Sequence, residues 1–405
     1  MNIIRNIIWI FGANLISSFT KWLIIVIIAR IMTPAEVGAY SLAFAVGAPI
    51  TLFANMKIRS LFVTEEHKNF NDYLYSRILL SLFATFILII ISIFIYPHFA
   101  QIILLVGLIK ILDLQSDMYY ALPHKEGDMD IIGKLMTFKH IFTLVVFFIF
   151  ILFFRNLTIS LAAQLIAQLL FLYFIEIRMI RKNYIVSDNK FNFTNVKAII
   201  FIGLPLGFVQ MMTSFNSSYP RYLLEYFESA EVLGYFSAII YILIIGNMMM
   251  NAVSQNFLPL LSKKLRNNEY DSFKKYVFIN LTIFALSLGG ILFLGSYFLG
   301  EIFLTIIYGE DYAQYSDILV LMSIALAINI VSWNFDTALM AMRYISVQPK
   351  ILSTVLTVNL IFGYIFIKAY GIYGATISII ISNCFQLVLR ATFVIIRINS
   401  LSKTT

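Results

Sequence analysis

The stretch Ala35-Glu36-Val37-Gly38-Ala39-Tyr40 returns, loosely, as Ala230-Glu231-Val232-Leu233-Gly234-Tyr235, and its reading decides the fold. Each copy sits in a short polar gap between two long apolar segments, half a chain from the other. Such a loose match would mean little in a soluble protein. In a chain that is apolar throughout, it marks a duplicated module of membrane spans, the construction of a secondary transporter.

Composition gives the same answer. Of 405 residues 60% are hydrophobic and only 12% charged, and mean hydropathy is +0.88. Ordinary soluble domains carry about a quarter charged residues. This chain could not cover a globular surface with polar groups, so it is an integral membrane protein. Apolar stretches of about 20 residues can cross a bilayer core as helices. Twelve are read here: 7–31, 36–56, 78–97, 99–122, 131–154, 157–181, 198–220, 232–255, 275–299, 314–341, 351–370 and 373–396. None shows the alternation of barrel strands, which leaves an all-α bundle. Arg5 and the apolar run after it resemble a signal peptide, but Ile7 to Ile31 is too long and lacks a small-x-small cleavage site. It is the first span.

The net charge of +8 is not a nucleic-acid footprint. Basic residues collect in alternate loops: Lys57, Arg59, Lys68 and Arg77 by the second, Lys125 and Lys134 by the fourth, Arg178 to Lys197 around the sixth, Lys263 to Lys275 in the eighth, and Arg343 and Lys350 by the tenth. By the positive-inside rule the even loops and both termini are cytoplasmic. Contact with anionic membrane lipid is a secondary effect of the same charge. A hydrophilic break near 182–197 divides the chain into lobe 1–182, linker 183–197 and lobe 198–405. Each lobe holds six spans, an even number, so the repeats run parallel about an axis along the membrane normal.

Several function classes fall away. The outer loops are short and leave no room for a catalytic domain, and no phosphate-binding glycine loop is present. The single cysteine, Cys384, lies in the last span and excludes an intramolecular disulfide. His67, His98, His124 and His140 are scattered without ligand spacing, so no metal site is expected.

Polar stripes along the spans carry the functional signal. Asn14, Ser17, Ser18 and Lys21 share one face of the first span, whose outer end is closed by Arg30. A lysine near mid-membrane costs roughly 2.5–3.5 kcal/mol on insertion scales, which favours a partner or a water-filled cavity over lipid. Snorkelling to the interface is the plain alternative. Gln210, Ser214, Ser217, Arg221 and Glu225 form a similar stripe, with a local Arg221–Glu225 pair as its plain reading. Thr51, Asn55 and Arg59 run along the second span, Asn247, Asn251 and Ser254 along the eighth, and Asn329, Ser332 and Asp336 along the tenth. In the fourth, Lys110 and Asp113 are spaced to neutralise each other. Asp113 and Asp336 are nevertheless the acids best placed for coupling to a proton or sodium ion. Arg390 sits near the inner end of the last span and is expected to snorkel. Lys21, Arg30, Arg59 and Arg221 together predict a cationic cavity and an anionic cargo, since arginine grips phosphate oxygens in pairs. Asn14, Ser18, Asn55 and Gln210 supply polar contacts beside them.

At Arg30-Ile31-Met32-Thr33-Pro34-Ala35-Glu36-Val37-Gly38-Ala39-Tyr40-Ser41 the chain resembles the first-to-second-helix junction of Wzx-type oligosaccharide flippases. Pro220-Arg221-Tyr222 with Ala230-Glu231-Val232-Leu233-Gly234-Tyr235-Phe236-Ser237 is similar to their second-half junction. Gly371-Ile372-Tyr373-Gly374-Ala375 resembles the entry to their last helix. These flippases belong to the multidrug/oligosaccharidyl-lipid/polysaccharide exporter superfamily, whose twelve-helix, two-lobed, MATE-like layout covers the whole chain. The resemblance implies translocation of undecaprenyl-diphosphate-linked oligosaccharide from the cytoplasmic to the outer leaflet of the bacterial plasma membrane. It also implies an ion gradient, H+ or Na+, in place of a cofactor, and a place in capsule or O-antigen synthesis. It leaves room for association with a polysaccharide polymerase and chain-length machinery. Lys21, Arg30 and Arg59 are its counterparts, by placement, of cations that hold the diphosphate. Three rivals stand. A drug/cation antiporter of the same superfamily wants unpaired cavity acids. A membrane-embedded glycan polymerase or acyltransferase wants a large outer loop or a His/Asp pair. A structural membrane scaffold has no reason to hold charged groups in its spans.

Overall fold

The computed structural model describes residues 3–65, 69–184 and 192–402, with the backbone alone at 3–5, 7, 242–256 and 402. His67, Lys68, Lys190 and the side chains of Asn247, Asn251 and Ser254 lie outside the described residues. The long helices are α1 Ile3–Ile31, α2 Pro34–Asn55, α3 Phe70–Phe94, α4 Ala100–Tyr119, α5 Met129–Phe154, α6 Leu157–Phe171, α7 Phe193–Phe227, α8 Ala230–Arg266, α9 Thr282–Ile307, α10 Ser316–Ala341 and α11 Gln348–Ser402. A π-helical turn, Leu172–Ile177, prolongs α6, and another, Tyr276–Leu281, leads into α9.

Both copies of the repeated hexapeptide open a helix, and capping explains why. Thr33 donates its N–H to Glu36 Oε2 at 3.0 Å, closing a capping box ahead of α2. Ser229 caps α8 by accepting from the Val232 N–H at 3.2 Å. The register differs by one residue. Glu36 is third in its helix and bonds back to the cap, whereas Glu231 is second and accepts from the Tyr235 hydroxyl at 3.1 Å.

Among the described residues ten helices are long and apolar enough to cross a membrane. The last of these, Ile345–Leu401, is broken at Gly371, where φ is 52° and ψ −125°. The expected twelve segments divide that stretch at the same place and add 232–255, which lies within α8. The two segments beyond ten are therefore both helical. An apolar head, Ala230–Tyr241, begins α8.

The second span is shorter than its polar stripe implies. It ends at Asn55, because Met56 and Lys57 both turn left-handed, with φ of 45° and 49°. Arg59 then belongs to a separate short helix, Ile58–Thr64.

Packing divides the chain into two compact units, Met1–Ser218 and Tyr219–Thr405. In the first, α1 lies on α5, α2 on α4, and α4 between α3 and α6. Glycines set the closest approaches: a Cβ at Gly133 would stand 2.7 Å from the Trp9 carbonyl oxygen. In the second unit α10 is central, packed on α8, α9 and α11. The dividing point falls within α7, beyond the hydrophilic stretch 183–197. The start of α7 is built into the first unit. Buried Asp72 accepts from the Asn192 N–H at 2.6 Å and from Asn195 Nδ2 at 2.8 Å. Gly203 and Gly207, one turn apart, lie against Met56 and Phe53 so closely that a Cβ would come within 2.8 and 2.7 Å. Small residues at this spacing let helix backbones touch.

Candidate functional site

Five helices of the first unit enclose a cavity of about 570 Å³, open space at its mouth included. Thr20 and Lys21 reach it from α1, Tyr40 and Phe44 from α2, Lys110 and Asp113 from α4, His140 and Thr143 from α5, and Gln164 and Gln168 from α6. Lys21 thus lines a cavity within the first unit. Helices α2 and α4 approach closely here because both carry glycine: a Cβ on Gly47 would lie 3.6 Å from Gly107 Cα and 3.4 Å from the Lys110 stem. The Lys110 ammonium rests over the Phe44 ring, 3.4 Å from its centroid.

Asp113 does not pair with Lys110, its neighbour in sequence. Its partner is Lys139 of α5, at 3.1 Å, and Gln168 donates to it at 2.8 Å. Lys139 is 4% exposed and stands 3.8 Å from Glu176, which is wholly buried on the π turn after α6. Glu176 accepts from Ser116 Oγ at 2.5 Å and from the Tyr120 hydroxyl. Buried charges persist only when paired and hydrogen-bonded, and this triad meets both conditions. Sequence reading missed Lys139 and Glu176. A lone glutamate within the apolar run Leu169–Ile177 was the available signal.

The other predicted cations are placed differently. Arg59 donates through Nε to His124 Nδ1 and through Nη1 to Asp117, both at 3.1 Å. Asn55 accepts the Lys57 N–H at 3.0 Å and so holds the turn that ends α2. Arg30, at the end of α1, is exposed, as is Asn14, while Ser18 is half-buried. Gln210 belongs to the first unit, and its Nε2 is buried without a hydrogen-bond partner. Arg221 belongs to the second, buried, with its guanidinium carbon 5.8 Å from the centre of the Tyr241 ring. Asp336 is held by Arg390 Nη2 at 3.1 Å and by Gln348 Nε2 at 2.7 Å. Arg390 also donates to Ser332 Oγ at 3.0 Å, so it is an ion-pair partner rather than a snorkelling group. Asp113 and Asp336 thus share a design, each tied to a basic side chain of a neighbouring helix.

The chain is a helical membrane protein of two compact units with ion pairs inside each. The fold resembles the lipid II flippase MurJ in an inward-closed conformation, with a TM-score of 0.73 and 14% identity over 96% of this chain and 89% of that one. It also resembles the Vibrio cholerae MATE transporter VcmN, with a TM-score of 0.61 and 16% identity over 99% and 96% of the two chains. The chain belongs to the polysaccharide biosynthesis protein family, whose model matches residues 3–265. It is 31% identical to the capsular polysaccharide biosynthesis protein CapF of Staphylococcus aureus, over 95% of this chain and 97% of that protein.

Proposed function

We propose that the protein is a flippase for undecaprenyl-diphosphate-linked oligosaccharide, moving repeat units from the cytoplasmic to the outer leaflet of the bacterial plasma membrane by alternating access. The observation that carries this is the first-unit cavity, where three lysines, Lys21, Lys110 and Lys139, stand in or beside the wall against two carboxylates, Asp113 and Glu176. Surplus positive charge at membrane depth calls for an anionic cargo. The relationship to CapF supports a polysaccharide unit as the rest of it, and the likeness to MurJ supports a fold able to pass a lipid-linked substrate. Both termini are cytoplasmic, and twelve crossings return the chain to that side. Lys21 is the principal contact for the diphosphate, with Arg30, Arg59 and Arg221 as further cations and Asn14, Ser18, Asn55 and Gln210 as polar contacts. A proton or sodium gradient drives the cycle. Asp113 and Asp336 are its carboxylates, each exchanging its basic partner for the ion. A polymerase and chain-length machinery would take the product at the outer face.

The MATE likeness gives the drug-antiporter reading a footing in the fold, but a cation-lined cavity opposes a cationic drug. The test is complementation of a strain lacking its own polysaccharide flippase, at matched membrane levels. Wild type should restore surface polysaccharide, and Lys21→Ala should fail. Lack of rescue by wild type with a cognate repeat unit sinks the flippase reading. Rescue by Lys21→Ala removes that residue from the site.

A further inference from the structure

In the second unit a groove of about 900 Å³, open space at its mouth included, lies between the approach to α9 and the last turns of α11. Lys274 and Lys275 close a short helix, Tyr270–Lys275, and the π turn Tyr276–Leu281 follows at once. Phe278 and Ile279 of that turn line the groove one turn deeper, with Ile395 and Ile398 of α11 as the other wall. The π turn and α11 both pack on α10, which leaves the cleft between them. The bulge is held in place. Thr282 Oγ1 donates to the Val277 carbonyl at 3.1 Å, and Asn334 Nδ2 of α10 donates to that of Leu281 at 2.9 Å. Val277 and Ile398 belong to the buried core behind the groove, whereas Ile279 and Ile395 are 49% and 46% exposed. Such turns are rare and gather at functional places, as the first unit's own does by carrying Glu176. The two lysines at the rim are uncommitted, for neither makes an ion pair among the described residues. From Lys263 to Lys275 five basic residues stand against Glu269 and Asp271. Lys264 takes Glu269 at 3.5 Å, and Asp271 lies one turn before the lysines, on the water side.

We infer that this groove holds an anionic glycerophospholipid of the bilayer, its phosphate between Lys274 and Lys275 and an acyl chain along Phe278, Ile279 and Ile395. Basic pockets between membrane helices suit lipid headgroups, and apolar walls below them carry the contact into the hydrocarbon. Cationic rim and apolar depth together match one amphipathic molecule. A free phosphate gains nothing from the walls, and a neutral lipid gains nothing from the lysines. Asn399 adds a polar group at the same level as the head. A lipid seated there ties the approach to α9 to the end of α11 and so acts as a strut within the second unit. The site is independent of what cargo the protein carries.

The experiment uses the full-length protein, delipidated in detergent and titrated with dioleoylphosphatidylglycerol or with dioleoylphosphatidylcholine. Thermal unfolding and native mass spectrometry follow the binding. A ligand that binds only the folded state raises the midpoint in a saturable way. The expected result is such a rise, with lipid retained in the mass spectrum, for phosphatidylglycerol and little rise for phosphatidylcholine. Apparent affinity should fall about fivefold in Lys274→Gln and again when Lys275→Gln is added. It should also fall in Ile395→Trp, which fills the groove, and stay unchanged in Lys197→Gln, an exposed lysine at the start of α7. Should the variants not fold, the wild type decides: added sodium chloride should loosen the anionic lipid and leave the neutral one as it was. Equal stabilisation by the two lipids, indifference to salt, or a loss as large in Lys197→Gln as in the groove variants overturns the inference. Farnesyl diphosphate is the third probe. If it takes the groove in preference to phosphatidylglycerol, the groove belongs to an isoprenyl cargo and the inference falls. A protein that complements a flippase-deficient strain yet ignores phosphatidylglycerol sinks the lipid site alone.

Discussion

Arg77 has no exposed surface, and both of its Nη atoms are spent on main chain. Nη1 donates to the Ala54 carbonyl at 2.9 Å and Nη2 to that of Asn55 at 3.1 Å. Those carbonyls are orphaned because α2 stops at the left-handed pair Met56 and Lys57, and a cation at a helix C-terminus also meets the dipole favourably. Arg77→Met should therefore cost roughly 1.5–3 kcal/mol, the worth of hydrogen bonds from a charged donor, seen as a lower unfolding midpoint. Arg77→Lys should recover only part, since one ammonium does not reproduce a planar fork. In sequence Arg77 reads as one more positive-inside marker, because nothing local shows that it turns inward to a neighbouring helix. The same blindness hides the Lys139 triad. A polar stripe shows that Lys21 faces something, but the partner of Asp113 lies on another helix, outside any local window. For Asp113 and Lys139 the expected outcome is strong non-additivity. Lys139→Met strands Asp113 and Glu176 together, whereas Asp113→Asn leaves Lys139 to Glu176. Lys139→Met should therefore lower the unfolding temperature far more, and adding Asp113→Asn to it should recover part of that loss.

Among the elements, α11 depends on two glycines. At Gly371 the backbone conformation is one L side chains rarely adopt, and a Cβ would meet Glu228 Oε1 at 2.3 Å. At Gly374 it would stand 1.9 Å from the Phe366 carbonyl oxygen. Alanine at either position should lower stability by about 1–3 kcal/mol through strain or overpacking. The check is detergent-solubilised thermal unfolding, and midpoints within error of wild type would show that the break relaxes freely. This break was legible: Gly371 and Gly374 punctuate an apolar run otherwise too long for one span. The helix starts were legible only to within a few residues, since the spans read from sequence begin at 36 and 232 whereas the caps are Thr33 and Ser229. The π turns were not, since the composition of 172–177 and 276–281 does not set them apart from α-helix.

At the scale of the whole molecule, charge alternation and span count predict an orientation that a single cysteine makes testable. Cys384→Ser gives a cysteine-free chain. In that background Glu310→Cys, exposed in an odd loop, should react with a membrane-impermeant maleimide in intact cells. Glu126→Cys, exposed in an even loop, should react only after permeabilisation. The reverse pattern would overturn the topology. The division into units was legible only in outline, because hydrophilicity marks where the chain leaves the membrane, not which neighbours a helix chooses. Gly203 and Gly207 make that choice for the start of α7.

That choice sets an order of events on the ribosome. Helices α1 to α6 are delivered first, yet Asp72 and the seam at Phe53 and Met56 wait for partners that come only with Asn192 to Gly207. The nascent first unit remains unfinished while its own six helices are already inserted. A product released in the linker would hold a buried carboxylate with nothing to bind it, and membrane quality control would meet it as an orphan. Completing one half of the protein therefore requires beginning the other.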